Sequence, residues 1–168
     1  LAPLNLKITR AAVRNLTPAR QAEHPDIALT TDALSIVNDP NIQIIIEVLG
    51  GIDLPFALLQ QALKNGKQVI TANKDLVATH GRELTALAQQ HHVALNYEAA
   101  VIGSIPILRT LNTNFAGDQI TALAGIANGT SNFILSQMQA GSSYTEALQL
   151  AQQKGFAEAD PTNDVEGL

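Results

Sequence analysis

The strongest constraint on the fold is an almost continuous apolar run from Ile42 to Leu49, which reads Ile-Gln-Ile-Ile-Ile-Glu-Val-Leu. A run of this kind predicts a parallel strand that is covered on both faces. Two glycines, Gly50 and Gly51, then turn the chain, and Asp53 is predicted to cap a helix that has Pro55 in its first turn. The run therefore predicts the start of a strand–helix–strand unit.

The same alternation of strands and helices extends over residues 1–97. Strands are predicted at Leu6–Val13, Ile42–Leu49, Lys67–Thr71 and Val93–Tyr97. Helices are predicted at Ala33–Val37, from Asp53 to a stop at Asn65-Gly66, and at Gly81–His91, while Asn15–Pro25 is predicted to be a polar loop. This alternation predicts an α/β fold with a parallel sheet and right-handed crossovers.

The pattern changes after Tyr97. A helix is predicted from Pro106 to about Asn114, a strand at Gln119–Ile126, a helix at Thr130–Met138, and a last helix that ends at Lys154 and begins with the capping box Ser143-x-x-Glu146. This order of elements is typical of a separate α+β unit. We place the domain boundary near Tyr97–Gly103, with domains at residues 1–97 and 98–168.

Composition excludes several classes of protein. The chain has 168 residues, of which 46% are hydrophobic and 15% charged, so it is not a disordered chain. Its net charge of −5, without a cluster of Lys and Arg, argues against nucleic-acid binding. No apolar run approaches the ~18 residues of a membrane span. The chain has no cysteine, which excludes thiolate metal sites and fits a cytoplasmic protein.

Ligands of parallel sheets bind beyond the carboxyl ends of the strands, so those ends define the candidate site. They are Arg14-Asn15, Glu47–Gly51, Ala72–Lys74 and Glu98–Gly103, and we expect them to cluster at one edge. Arg14 is either a contact to the 2′-phosphate of a dinucleotide or a surface arginine. Lys74 could contact cofactor or substrate, or act in proton transfer; the alternative is a solvated lysine.

Two turns could hold ions. The stretch Tyr97–Pro106 is irregular and rich in small residues, so its backbone carbonyls could bind a hard cation; the alternative is a tight connection without a ligand. The stretch Asn128–Asn132 is either an anion-receptive helix N-terminus or an ordinary cap.

The stretch Gly155–Leu168 carries four carboxylates, namely Glu158, Asp160, Asp164 and Glu166. Pro161 and the flanking glycines exclude one continuous helix. The stretch is either a solvated acidic segment or a positioned acidic site for an ammonium or hydroxyl ligand.

A dinucleotide-binding sheet should carry a Gly-x-Gly-x-x-Gly turn after its first strand, and none of the 11 glycines has that spacing. If the sheet binds a dinucleotide, we expect its first strand and its phosphate loop to precede Leu1.

Several segments together resemble homoserine dehydrogenases. They are Glu47–Gly51, Val69–Lys74, Tyr97–Leu108, Gly125–Leu135 and Ala151–Leu168. The resemblance implies a partial Rossmann-type cofactor domain followed by a substrate and dimerisation domain. It also implies NAD- or NADP-dependent interconversion of L-homoserine and L-aspartate 4-semialdehyde in threonine, methionine and isoleucine synthesis, by a cytoplasmic homodimer.

The resemblance also implies roles for individual residues. Glu158 would bind the substrate amino group with Asp164 nearby, and Lys74 would approach the nicotinamide and the substrate. Arg14, Ala72 and Lys74 would contact the cofactor, and a sodium-like cation would be bound by Glu98, Val101, Gly103 and Ile105. Asn163 departs from the family, because some members have an acid there.

The family's glycine-rich loop is expected before Leu1, and its proton-donating lysine after Leu168. Two other functions are alternatives. The chain could be a non-catalytic substrate or oligomerisation module of such an enzyme. A semialdehyde dehydrogenase would need a nucleophilic cysteine, which this sequence lacks.

Overall fold

The computed structural model describes residues 5–157 and 160–166. The chain divides into two compact units, Leu1–Leu108 and Arg109–Leu168.

The first unit alternates short strands with helices, as the sequence predicts. In chain order its elements are β1 (Arg10–Ala12), α1 (Pro18–Glu23), β2 (Ala28–Thr30), α2 (Ala33–Val37), β3 (Ile44–Glu47), α3 (Asp53–Lys64), β4 (Gln68–Thr71), α4 (Lys74–Gln90) and β5 (Leu95–Asn96). A 3-10 turn over Glu98–Ala100 follows, then a helical segment made of α5 (Ile107–Arg109) and a π-helical turn (Thr110–Asn114). The predicted helix after Pro106 is therefore present, with a widened second half.

All strand pairs described in this unit are parallel, which confirms the predicted fold class. β1 pairs with β2, and β3, β4 and β5 form a second sheet in that order. In a doubly wound sheet of order 3-2-1-4-5-6, the first strand lies between the second and the fourth. β1 and β2 would correspond to the second and third strands of this order, and β3 to the fourth. The first strand of the order would then lie between β1 and β3, where the described strands are not paired.

One face of the three-stranded sheet forms the core. Leu59 and Leu63 from α3, Val69 from β4 and Leu76 and Leu84 from α4 are fully buried and pack together. Helices α3 and α4 thus cover the sheet on one side.

The other face of the sheet is exposed. Ile44, Ile46 and Ile70 have exposed fractions of 38%, 61% and 37%, and they alternate with buried residues along their strands. The prediction that the Ile42–Leu49 strand is covered on both faces is therefore wrong for the described part of the chain. Half of the apolar run, including Ile44 and Ile46, lies on the exposed face, which none of the described elements covers.

Capping residues explain where the helices begin. The Asn73 side chain accepts a hydrogen bond from the Leu76 amide at 3.1 Å, so α4 begins at Lys74, earlier than the predicted Gly81. Thr17 caps α1 and Pro18 occupies its first turn, which places a helix in the predicted Asn15–Pro25 loop. Asp53 is the first residue of α3 and not its cap.

A buried lysine ties β4 to the loop before β3. Lys67 is 4% exposed, and its ammonium donates hydrogen bonds of 2.5 Å to the carbonyl oxygens of Asp39 and Ile42. Asp39 also pairs with Arg10 at 3.1 Å. These bonds lie at the amino end of β4, away from the edge where ligands of parallel sheets bind.

The second unit contains α6 (Gly129–Gln139), α7 (Tyr144–Gln153) and α8 (Thr162–Glu166). Its core is formed by Ile134, Ala147, Ala151 and Ala157. The predicted capping box is present, since Ser143 and Glu146 bond each other's backbone amides. Both predicted helices, α6 and α7, are confirmed.

The predicted strand at Gln119–Ile126 is wrong. These residues have no regular secondary structure, and Ile120, Leu123 and Ile126 are exposed. A strand needs a hydrogen-bonded neighbour, and no described residue pairs with this stretch in a ladder.

Replacing Lys67 with Met is expected to destabilise the first unit. Methionine keeps the apolar stem but takes the lysine donor from the part-buried Ile42 carbonyl and one of two donors from the Asp39 carbonyl, which also accepts from the Ile42 amide. Losing a donor in this way costs about 1–3 kcal/mol. Chemical denaturation measures this as a lower free energy of unfolding. Lys64→Met, at an exposed lysine of α3, is the control and should change little. Equal stabilities for the two variants would contradict the assigned role of Lys67.

Candidate active site

The carboxyl ends of β3 and β4 are joined by a buried carboxylate. Glu47, the last residue of β3, is 3% exposed and lies opposite Thr71 in the ladder. Its Oε2 accepts a 2.5 Å hydrogen bond from the Thr71 hydroxyl, and its Oε1 accepts a 2.7 Å bond from the Leu49 amide. The two strand ends are therefore held together by side chains as well as by the backbone.

Asn73 extends this network to the Gly50–Gly51 turn and to the first turn of α4. Its amide donates to the Thr71 hydroxyl at 3.0 Å, and its side-chain nitrogen donates to the Gly51 carbonyl at 2.6 Å. Gly50 and Gly51 have φ values of 74° and 75°, a left-handed conformation that favours glycine. Asn73 thus links the glycine turn to the start of α4.

Ala72 and Lys74 lie on the same edge. Both are exposed, Lys74 is the first residue of α4, and the Ala72 amide donates to the Glu47 carbonyl at 3.2 Å. A Cβ placed on Gly50 or Gly51 would meet no atom within 4 Å, so space above the turn is open. The edge offers an ammonium and backbone groups to a ligand.

The expected cluster of strand ends is present for β3 and β4, and β5 pairs with β4 in parallel, so Glu98 follows at the same end of that sheet. Arg14 is exposed and follows β1, which belongs to the two-stranded sheet. The cofactor roles of Arg14, Ala72 and Lys74 stay predictions.

The turn after β5 has an unusual backbone. Ile102 and Ser104 adopt positive φ values of 48° and 69°. The Glu98 carboxylate accepts from the Leu108 amide at 2.9 Å, and the carbonyls of Glu98 and Ile105 each accept one backbone hydrogen bond.

Across residues 5–157 and 160–166, no group of three or more histidine, aspartate or glutamate side chains could hold a metal ion. A cation at Glu98, Val101, Gly103 and Ile105 would therefore depend on backbone oxygens, which suit hard cations.

In the second unit, Asp164 lies at the N-terminus of α6. Its carboxylate accepts from the Asn128 side chain at 2.9 Å, and its carbonyl accepts from the Ser131 hydroxyl at 2.6 Å. The Thr130 hydroxyl donates to the Phe156 carbonyl at 2.5 Å and lies 3.3 Å from the Asp164 carboxylate. Asn128 also caps α6 through the Ser131 amide at 2.8 Å. The anion at this helix end is thus a carboxylate of the chain itself, a favourable position for negative charge.

The rest of the acidic segment is partly described. Glu158 lies outside the described residues. Asp160 accepts hydrogen bonds from the hydroxyl and the amide of Thr162, which lower the pKa of its carboxyl below the ordinary value of 3.8. The Phe156 ring contacts the Phe133 ring, with centroids 4.8 Å apart.

The sequence analysis missed the network of Glu47, Thr71 and Asn73, and it missed the pairing of Asn128 with Asp164. The acid inside an otherwise apolar strand was a usable signal, because a carboxylate in a buried strand needs hydrogen-bond donors nearby.

Two family models match the chain. Residues 2–98 match the NAD-binding domain of homoserine dehydrogenase, and residues 106–168 match the homoserine dehydrogenase model. The resemblance noted in the sequence is confirmed.

Individual relatives agree with the family models. The homoserine dehydrogenase of Bacillus subtilis is 46% identical over 96% of this chain, and that of Lactococcus lactis is 51% identical over 85%. A crystal structure of a homoserine dehydrogenase from Thiobacillus denitrificans shares 48% identity over 95% of the chain, with a TM-score of 0.86. The chain spans 37%, 33% and 37% of the lengths of these three relatives.

Helices within the described ranges are all too short or too polar to span a bilayer.

Replacing Thr162 with Val is expected to raise the pKa of Asp160 toward 3.8. The folded pKa is lowered, so the bond stabilises the folded segment above about pH 3.8 and is lost as pH falls through the folded value. Valine removes the hydroxyl, the larger cause, and keeps the amide. An NMR titration of the carboxyl resonance measures the change. Thr162→Ser should keep the low value, and an unchanged titration in Thr162→Val would contradict the assignment.

Proposed function

The chain belongs to the homoserine dehydrogenase family, and from this premise we propose that it is part of an enzyme that interconverts L-homoserine and L-aspartate 4-semialdehyde. The observation that carries the proposal is that the NAD-binding model covers the parallel sheet whose strand ends carry Gly50-Gly51 and Ala72–Lys74. Ligands of parallel sheets bind beyond such ends.

The residues at this edge fit a dinucleotide. The glycine turn is open above its backbone, and the exposed ammonium of Lys74 follows on the neighbouring strand end. The bound nicotinamide would supply or accept the hydride. We assign Lys74 to orienting the nicotinamide end and the substrate, where its positive charge favours the negative charge that develops on the aldehyde oxygen during reduction.

The substrate amino group needs a carboxylate partner. We propose that Glu158 binds it through a charge-assisted hydrogen bond, with Asp164 nearby. Support for Asp164 comes from its fixed position, since Asn128 bonds its carboxylate and Ser131 bonds its backbone carbonyl. A carboxylate held in this way loses little conformational freedom when a ligand binds.

A sodium-like cation is proposed at Glu98, Val101, Gly103 and Ile105. The positive φ values of Ile102 and Ser104 support a turn whose carbonyls are turned out of a regular helix or strand. The enzyme is further proposed to use NADP or NAD, to form a homodimer and to be cytoplasmic. These three proposals rest on the family resemblance.

A non-catalytic substrate or oligomerisation module is the second candidate. The chain spans 37% of the length of its Bacillus subtilis relative, so catalysis by these residues alone is a separate proposal from the activity of the family. Homoserine oxidation assayed with NAD and NADP, in the longer parent protein and in residues 1–168 alone, separates the two candidates.

In the longer parent protein, Glu158→Gln is expected to raise the KM for homoserine by roughly 10- to 100-fold, because a hydrogen bond to a charged group contributes about 1.5–3 kcal/mol. The KM for the cofactor should barely change. Steady-state kinetics measure both values. Glu166→Gln, at an exposed acid of α8, is the matched control. An unchanged homoserine KM in Glu158→Gln would refute the assignment.

Arg14→Ala is expected to weaken the use of NADPH more than that of NADH, because arginine at this position of the fold pairs with the 2′-phosphate. The measurement is the ratio of kcat/KM for the two cofactors. Arg82→Ala removes an exposed arginine of α4 and should leave the ratio unchanged. Equal losses with both cofactors would show that Arg14 is an ordinary surface residue.

A further inference from the structure

We propose that Glu47 is a positioning residue of the proposed reaction. It holds the Gly50–Gly51 turn and the first residues of α4 at a fixed separation through Thr71 and Asn73. The inference rests on the proposed function, because it assigns the edge to the nicotinamide end of a dinucleotide. Glu47 itself is not assigned a contact with cofactor or substrate.

The first argument is the cost of burying this acid. Glu47 is 3% exposed, and it lies on the same face of β3 as Ile45, which is also buried. An aliphatic residue would fill that face without desolvating a charge. The carboxylate therefore needs a reason beyond packing, and its hydrogen bonds provide one.

The second argument is the direction of its two oxygens. Oε1 accepts from the Leu49 amide in the turn after β3, and Oε2 accepts from the Thr71 hydroxyl at the end of β4. One rigid carboxylate thus connects two different strand ends. Bonds to a charged acceptor are stronger than bonds between neutral groups, so this connection resists displacement.

The third argument is the chain of donors beyond Thr71. The Thr71 hydroxyl, which is fully buried, accepts from the Asn73 amide while it donates to Glu47. The charge on Glu47 thereby fixes the orientation of the hydroxyl. This orientation leaves the oxygen of Thr71 free to accept from the amide that precedes Lys74.

This series of hydrogen bonds ends at the glycine turn and at the first turn of α4. Asn73 donates to the Gly51 carbonyl and caps α4 through the Leu76 amide. Lys74 follows Asn73 directly and begins the helical turn that Asn73 caps. A shift of Thr71 or Asn73 would therefore move the Lys74 ammonium relative to the glycine turn, and misplacement by ~1 Å can cost on the order of 100-fold in rate.

The test uses the longer parent enzyme with the pair Thr71→Val and Thr71→Ser. Valine keeps the shape and removes the hydroxyl, whereas serine keeps the hydroxyl. Thr71→Val is expected to lower kcat/KM for homoserine oxidation by roughly tenfold or more and to raise the Kd for NADPH, measured by fluorescence titration. Thr71→Ser should stay within about twofold of the unmodified enzyme in both.

Lys67→Met is the matched control for stability. It removes a buried polar anchor at the opposite end of the same strand. We expect it to lower the unfolding temperature but leave kcat/KM and the NADPH Kd unchanged at a temperature where all variants are folded. Kinetic losses in Lys67→Met as large as those in Thr71→Val would overturn the proposal, as would unchanged kinetics in Thr71→Val.

Glu47→Gln tests the charge itself. The amide nitrogen of glutamine would face either the Thr71 hydroxyl or the Leu49 amide, so one donor in the network would lose its acceptor. Because Glu47 and Thr71 share one network, the losses in Glu47→Gln and Thr71→Val should not add in the double variant. Additive losses would overturn the proposal.

The two proposals fail in different ways. A parent enzyme without homoserine-dependent reduction of NAD or NADP would overturn the proposed function. The NADPH titration of the Thr71 variants would still decide the positioning role, because it needs no turnover.

Discussion

The parallel register of β3 against β4 is the constraint on which the site depends. It pairs Glu47 with Thr71 in the last rung of the ladder, so a buried carboxylate meets a hydroxyl where the strands end. A slip by one residue would turn the whole set of side chains to the other face of the sheet. The register is specified by burial, since Ile45 and Val69 must both face α3 and α4.

The sequence contains enough local information to predict most of this architecture. Helix caps and helix stops act within a few residues of sequence. The helices that begin after Asp32 and Ser143 and the helix that ends at Asn65-Gly66 are all present. The errors arise where the outcome depends on distant partners. The stretch at Gln119–Ile126 has the composition of a strand, but a strand forms only with a neighbour.

The candidate site was predictable to the level of the sheet edge. The rule that ligands bind at the carboxyl ends of parallel strands points to Glu47–Gly51 and Ala72–Lys74 without knowledge of any contact. The partners of individual side chains were not predictable, because they follow from the folded chain. Asp164 meets Asn128 across 36 positions of sequence, and no local pattern encodes that distance.

The packing of α6 against α7 positions the helix whose first residues bond Asp164. Ala147 and Ala151 of α7 are 1% and 0% exposed, and they pack with Ile134 of α6. The bonds of Asp164 described above join it to residues at the start of α6. A larger side chain at Ala151 would force the helices apart, since cores tolerate added volume poorly. The methyl groups of Ala147 and Ala151 therefore limit which substitutions this helix pair tolerates, and through α6 they affect the residues that bond Asp164.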